Sequence, residues 1–186
     1  MIFKKTDLED AYIIELERLG DSRGFFARAF CENEFANHGI DFSIVQANTS
    51  YSAKKHTLRG MHYQDKPYQE AKLIKCTKGA IFDVIIDMRM DSPTFKQWEG
   101  IELSEQNRKM LYVPEGFAHG FMTLEDETEV YYPVTQSYTP GAEKGIRWDD
   151  PAFNIQWPAP AEIVSEKDES WPFYENTVDK ELRHQL

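Results

Sequence analysis

Ala80-Ile81-Phe82-Asp83-Val84-Ile85-Ile86-Asp87-Met88 is the stretch whose reading decides the fold. Successive side chains of a β-strand point to opposite faces. One parity here, Ala80, Phe82, Val84, Ile86 and Met88, is wholly apolar, while the other, Ile81, Asp83, Ile85 and Asp87, sets acids into an apolar row. A strand apolar on one face and mixed on the other suits a sandwich whose inner face lines a pocket. On this pattern either parity can face inward.

Working outward, residues 57–64 and 71–76 read as strands before it, with Gly79 as a turn. Residues 98–103, 110–113, 117–124 and 128–135 read as strands after it, beyond the turn Asp91-Ser92-Pro93-Thr94. Nearer the N-terminus, residues 12–16 suggest an edge strand, and residues 23–30 and 42–52 suggest two more. Residues 32–38, closed by Gly39, fit a short helix. About ten short strands at this spacing predict an all-β sandwich or barrel with short peripheral helices. After Pro140 the periodicity breaks, and an aromatic-rich tail over residues 141–186 is expected to pack on the barrel. There is no repeat or linker, so residues 1–186 are read as one domain.

Composition narrows the function. A net charge of −11 argues against a nucleic-acid or anionic-membrane surface but leaves room for a locally basic pocket taking a phosphorylated small molecule. Cys31 and Cys76 have no metal-type spacing, no apolar run is long enough for a membrane span, and residues 1–7 run into acids. These features predict a reduced, cytoplasmic, soluble protein.

The chemistry concentrates in Leu58-Arg59-Gly60-Met61-His62-Tyr63-Gln64 and Glu70-Ala71-Lys72. A histidine among cations is expected to be neutral and able to accept a proton, as a general base must be. Pro114-Glu115-Gly116-Phe117-Ala118-His119-Gly120 has the Pro-x-Gly-x-x-His spacing of the second cupin motif, which belongs to a jelly-roll hairpin. A metal-binding cupin would carry a histidine where Gln64 stands, so His62, His119 and Glu70 make a poor metal set and no metal is expected. A candidate acid lies in Glu129-Val130-Tyr131-Tyr132-Pro133, where Tyr132 shares the apolar parity of Val130 and Val134 and Tyr131 does not. Arg59 and His62 differ in parity, and Gly60 between them suggests a bulge that turns both to one side.

Several of these blocks, with Asp21-Ser22-Arg23-Gly24-Phe25-Phe26, Gln46-Ala47-Asn48, Lys72-Leu73, Ile146-Arg147-Trp148 and Ser165-Glu166-Lys167-Asp168, resemble the dTDP-4-dehydrorhamnose 3,5-epimerase family. The resemblance runs from about residue 12 to about 172. It implies a metal-free cupin jelly roll without cofactors, usually a homodimer, acting on a dTDP-4-keto-6-deoxyhexose. It further implies His62 as the catalytic base, Asp168 as the carboxylate that orients it, Tyr132 as the opposing acid and Lys72 beside the keto oxygen. Arg23 and Arg59 match diphosphate contacts, Phe26, Gln46, Asn48 and Tyr138 match nucleotide contacts, and His119 and Asp83 match pocket residues. Epimerisation at only C3 or only C5, a metal-dependent cupin enzyme and a non-catalytic sugar-nucleotide binder are the competing readings.

Overall fold

The computed structural model describes residues 1–174. The strands are β1 (Ile2–Lys5), β2 (Tyr12–Glu15), β3 (Leu19–Asp21), β4 (Gly24–Phe26), β5 (Gln46–Ser52), β6 (Leu58–Gln64) and β7 (Lys72–Lys78). They continue as β8 (Ala80–Asp87), β9 (Trp98–Ser104), β10 (Met110–Val113), β11 (Phe117–Thr123), β12 (Thr128–Val134) and β13 (Glu143–Gly145). Two short helices, α1 (Glu32–Ala36) and α2 (Glu166–Glu169), complete the set. A six-stranded sheet in the order β1-β2-β10-β7-β12-β5 faces a five-stranded sheet in the order β13-β6-β11-β8-β9, and β3 and β4 form a separate hairpin. All pairings within the sheets are antiparallel.

The deciding strand, β8, is buried on both sides. Its mixed parity faces the opposite sheet: Ile81 and Ile85 pack with Ile74, Leu111, Val113 and Val130 in the central core. The wholly apolar parity turns the other way, where Phe82, Val84 and Ile86 are covered by Ile146, Phe153 and Trp157 from the C-terminal segment. A fully buried isoleucine contributes about 1.5–3 kcal/mol, so the tail is anchored by an apolar face comparable to a core layer. Residues 146–157 of the C-terminal segment cover this face; residues 175–186, part of the tail expected to pack on the barrel, lie outside the described ones. A third cluster, Phe35, Ile40 and Phe42 against Leu73, Met110 and Tyr112, seats α1 on the outside of the six-stranded sheet.

Three expectations change. Residues 12–16 do not make an edge: β2 lies between β10 and β1, a strand the charged N-terminus concealed. Residues 23–30 are strand only over β4, which pairs with β3 through Asp21↔Gly24. The segment after Pro140 holds two elements the broken periodicity hid, β13, paired to β6, and α2.

Candidate active site

The site begins with an irregularity between β6 and β11. His62 pairs with His119 and Arg59 with Phe121, so Gly60 and Met61 together oppose the single residue Gly120. The extra residue cancels the odd spacing of Arg59 and His62 and turns both side chains to one face. Met61 points the other way and is buried beside Val84 and Ile86. Only glycine fits at position 60: its φ is +125°, and a Cβ there would lie 2.5 Å from the Cα of Gly120.

The face so assembled opens on a cavity of about 420 Å³ lined by Arg59, His62, Lys72, His119, Tyr132 and Asp168 among others. A second lobe of about 370 Å³ is lined by Gln46, Asn48, Gln64, Glu70, Tyr138 and Glu143. His62, Lys72 and Tyr132 border both lobes, so the two form one cleft. Tyr132 reaches the cleft from β12, where it packs against the central core, whereas Tyr131 points outward.

Asp168 is the residue closest to His62 in charge terms. His62 Nε2 lies 2.5 Å from Asp168 Oδ1, and the Gly60 N–H donates to Asp168 Oδ2 at 3.3 Å. The sequence had pointed to cations as the neighbours of this imidazole; the structure gives it an anion. Asp168 sits in α2, whose N-cap Ser165 accepts the Asp168 backbone N–H at 3.1 Å. Burial pushes the Asp168 carboxyl up, but the hydrogen bond and charge of His62, with Gly60 and Ser165, bring it below its ordinary range. An ionised carboxylate only accepts, so Nε2 carries the ring hydrogen and Nδ1 keeps the lone pair. Trp171 walls the ring edge-on at 6.5 Å and lies over Gly145, the β13 partner of His62, where a Cβ would meet the indole at 2.1 Å.

A second imidazole–carboxylate pair stands beside the first. His119 Nε2 lies 2.8 Å from Asp83 Oδ1, with Asp83 completely buried and its Oδ2 without a partner. Burial raises the Asp83 carboxyl above its ordinary range despite His119 and Lys72, which act in the opposite direction. Lys72 Nζ is 3.1 Å from Glu70 Oε1 and donates to the His62 carbonyl at 3.4 Å. Burial raises the Tyr132 phenol, aided by the charges of Glu70 and Glu143 and opposed by Arg59.

Of the residues singled out in the sequence, His62, Asp168, Lys72, Tyr132, Arg59 and His119 meet in the first lobe, and Gln46, Asn48 and Tyr138 border the second. In that second lobe Gln46 Nε2 donates to Asn48 Oδ1 at 2.9 Å and Gln46 Oε1 accepts the Tyr138 N–H at 3.2 Å. Three do not line the cleft. Asp83 lies behind His119, within the core, and Arg23 and Phe26 ride on the β3–β4 hairpin, where Arg23 pairs with Asp21 and Phe26 is 72% exposed. Residues to which the sequence gave no role of their own are Ser165 and the Lys167–Glu143 ion pair at 2.5 Å across the rim. Ser165-Glu166-Lys167-Asp168 carries the Ser-x-x-acid signature of a helix start, which could have found the first of these. Gln64 and Glu70, where metal ligands were considered, hydrogen-bond to each other, and among the described residues no group of three His, Cys, Asp or Glu is placed to hold a metal ion.

The sequence profile described as dTDP-4-dehydrorhamnose 3,5-epimerase matches residues 5–176. The chain belongs to the dTDP-4-dehydrorhamnose 3,5-epimerase family. It is 45% identical over 181 residues to the dTDP-4-dehydrorhamnose 3,5-epimerase of Methanothermobacter thermautotrophicus, covering 95% of this chain and 96% of that one. The crystal structure of the Bacillus anthracis enzyme of the same name, with TDP and PPi bound, is 44% identical, with a TM-score of 0.88 over 92% of this chain and 99% of that one. A 3′-monoepimerase from Streptomyces bikiniensis, solved with dTDP as a His→Asn, Tyr→Phe double variant, is 29% identical, with a TM-score of 0.87 over 96% of this chain and 90% of that one.

Proposed function

We propose that this family member epimerises dTDP-4-dehydro-6-deoxyglucose at C3 and C5 to dTDP-4-dehydrorhamnose, by proton removal and return through an enolate. The observation that carries the reading is the convergence of His62–Asp168, Lys72 and Tyr132 on one cleft. A hydrogen on C3 or C5 is acidic because it lies α to the C4 ketone. His62 Nδ1 takes that proton, and the C–H electron pair moves into the ring to leave an enolate with its charge mainly on the C4 oxygen. Lys72, a cation facing the cleft, stabilises that charge where it develops. Tyr132 then gives a proton to the opposite face of the carbon, which inverts the centre. Asp168 holds the tautomer and stabilises the imidazolium as it forms. The imidazolium returns its proton to water and the phenolate regains one before the second carbon reacts. A positioned acid or base contributes about 10²–10⁴-fold. The substituted histidine and tyrosine of the monoepimerase double variant are separated by the same number of residues as His62 and Tyr132, which supports these two roles.

The nucleotide end of the substrate lies in the second lobe, along Gln46, Asn48 and Tyr138, with Arg59 toward the diphosphate. Arg23 and Phe26 serve the reaction from a partner: the enzyme is a homodimer in which the β3–β4 hairpin of one copy reaches the cleft of the other. Leu19, 71% exposed, and Phe26, 72% exposed, give that hairpin an apolar surface suited to burial. Cys31 and Cys76 are both free, which fits a reducing cytoplasmic setting.

Double epimerisation is tested by incubating the protein with dTDP-4-dehydro-6-deoxyglucose in D₂O. Deuterium at both C3 and C5 is expected; label at one carbon alone would reassign the protein as a mono-epimerase.

A further inference from the structure

The cleft contains two carboxylates that the proposed mechanism leaves unused, Glu143, paired with Lys167 at the rim, and the more deeply placed Glu70. Glu70 lies just ahead of β7, with its side chain 13% exposed on the floor of the second lobe. One of its oxygens is 3.1 Å from Lys72 Nζ, and the other accepts a hydrogen bond from Gln64 Nε2. Gln64 is itself buried and fully engaged: Nε2 also reaches the carbonyls of Tyr68 at 3.0 Å and Ser137 at 3.2 Å, and Oε1 accepts the Thr139 N–H at 2.7 Å. Glu70 thus connects the cation of the first lobe to the 137–139 turn that carries Tyr138 in the second.

We propose that Glu70 is a positioning residue that acts through Lys72 and Tyr132, fixing the ammonium at the cleft and setting a negative charge against the phenol. The proposal rests on the roles given above to Lys72 and Tyr132. An ammonium on a flexible stem has many rotamers, and a buried partner on one side with the His62 carbonyl on another selects one of them. The selected position costs nothing further when the enolate forms, which is how a preorganised cation differs from a mobile one. Beside the phenol the effect is electrostatic. The charged groups facing Tyr132 are Glu70, Glu143 from β13 and Arg59 from β6; Lys72, His62, His119 and Asp168 border the same cleft. Within this set Glu70 and Glu143 oppose ionisation of the phenol and Arg59 favours it. A proton donor must hold its proton until the carbanion forms, so a nearby carboxylate keeps Tyr132 in its working state as pH rises.

The geometry gives Glu70 a reason to be Glu. A glutamine in its place has one oxygen for Lys72 but turns an amide N–H₂ toward the N–H₂ of Gln64; Gln64 keeps the Tyr68 and Ser137 carbonyls, and the new amide meets a donor where the carboxylate accepted a hydrogen bond. Glu70→Gln therefore tests both halves of the proposal. We expect kcat to fall on the order of tenfold with KM changed less than about threefold, since Lys72 and Tyr132 act on the developing charge while Gln64 keeps its bonds to Ser137 and Thr139 and so holds the turn that carries Tyr138. The alkaline limb of the kcat profile should move to lower pH, and Glu70→Asp should recover part of kcat. The phenol is also titrated without turnover, from the ultraviolet absorbance of phenolate, with Tyr132→Phe subtracted to isolate its signal; in Glu70→Gln it should ionise at lower pH. Unchanged kcat and an unchanged phenol titration, with or without a loss of thermal stability, would overturn the proposal. A wild-type protein that exchanges no deuterium into the keto-sugar would instead overturn the reading of function, and the phenol titration would still decide the electrostatic role of Glu70.

Discussion

The two imidazole–carboxylate pairs of this cleft are built from the same atoms and set in opposite surroundings. His62 and His119 are direct cross-strand partners on β6 and β11, and each presents Nε2 to an aspartate. Asp168 comes from a separate four-residue helix, uses both oxygens and is held below its ordinary carboxylate range. Asp83 comes from the middle of β8, leaves one oxygen unpartnered in the core and is pushed above that range. An anion that is easily kept can stabilise a new imidazolium, whereas an anion that burial resists cannot do so cheaply. Within the proposed mechanism, that difference favours His62 over His119 as the base. What separates the pairs is the supply of donors around the carboxylate, which depends on where the carboxylate enters the fold.

That assignment breaks first at the imidazoles. His62→Ala should lower kcat by about 10³–10⁴-fold, the loss of a positioned base. His119→Gln should cost only about tenfold, the size of one hydrogen bond to substrate. Steady-state turnover on dTDP-4-dehydro-6-deoxyglucose measures both. Equal losses, or the reverse order, would move the base to the second pair.

The carboxylates sharpen the contrast through pH. Asp168→Asn should lower kcat by about 10²–10³-fold, because an amide can present its N–H₂ to Nε2 and favour the wrong tautomer. Its stability effect has a definite sign. A carboxyl whose folded pKa is depressed contributes stability above the unfolded value, ~3.9, and loses it as pH falls through the lower folded value. The gap in unfolding free energy between wild type and Asp168→Asn should therefore shrink below about pH 4. Asp83 runs the other way: its raised carboxyl contributes most below ~3.9 and loses that contribution as pH rises through its folded value. Relative to wild type, Asp83→Asn should gain ground between acidic and neutral pH. Urea unfolding across that range reads both slopes, and slopes of the same sign would mean that the two pairs are not electrostatically distinct.

The same contrast explains what the chain disclosed before its structure was known. Strands with a parity pattern, β8 and β12, were legible because burial on defined faces writes itself into parity, whereas β11, buried along its whole length, was legible as a short apolar run bounded by turns. The placing of Tyr132 over Tyr131 in the cleft follows from that rule directly. Arg59 and His62 needed more, since a one-residue bulge inverts parity and only Gly60 announced it. Asp83 was written in the strand pattern as an acid in an apolar row, but nothing in that pattern said that it would face the core and not the cleft. Asp168 could not be found by periodicity at all: it lies in a short helix after an irregular stretch, and a charged run there reads as surface. Resemblance to a family, not local pattern, singled it out. Arg23 and Phe26 show a different limit: they lie on the β3–β4 hairpin away from the cleft of their own chain, and no local pattern in the sequence announces that separation.

The smallest effect tests how Asp168 is delivered. A helix of four residues has little stability of its own, because nucleation fixes several backbone angles for very few hydrogen bonds. α2 is held at its start by Ser165, which accepts the Asp168 N–H, and upstream by Ile163, whose carbonyl accepts the Leu58 N–H at 2.8 Å. Nearby, His56 Nδ1 and Glu162 Oε1 lie 2.7 Å apart. Removing the N-cap hydroxyl leaves that N–H without its acceptor, a change worth about 1 kcal/mol where helix starts have been probed. Asp168 retains its bonds to His62 and to the Gly60 N–H, so the carboxylate is displaced and not lost. Ser165→Ala should thus lower kcat by only about two- to fivefold, less than one hydrogen bond's worth, and Ser165→Thr should restore it. Loss of thermal stability with kcat untouched would make Ser165 a cap and nothing more; a kcat as low as that of Asp168→Asn would mean that the cap alone keeps the carboxylate in reach of the imidazole.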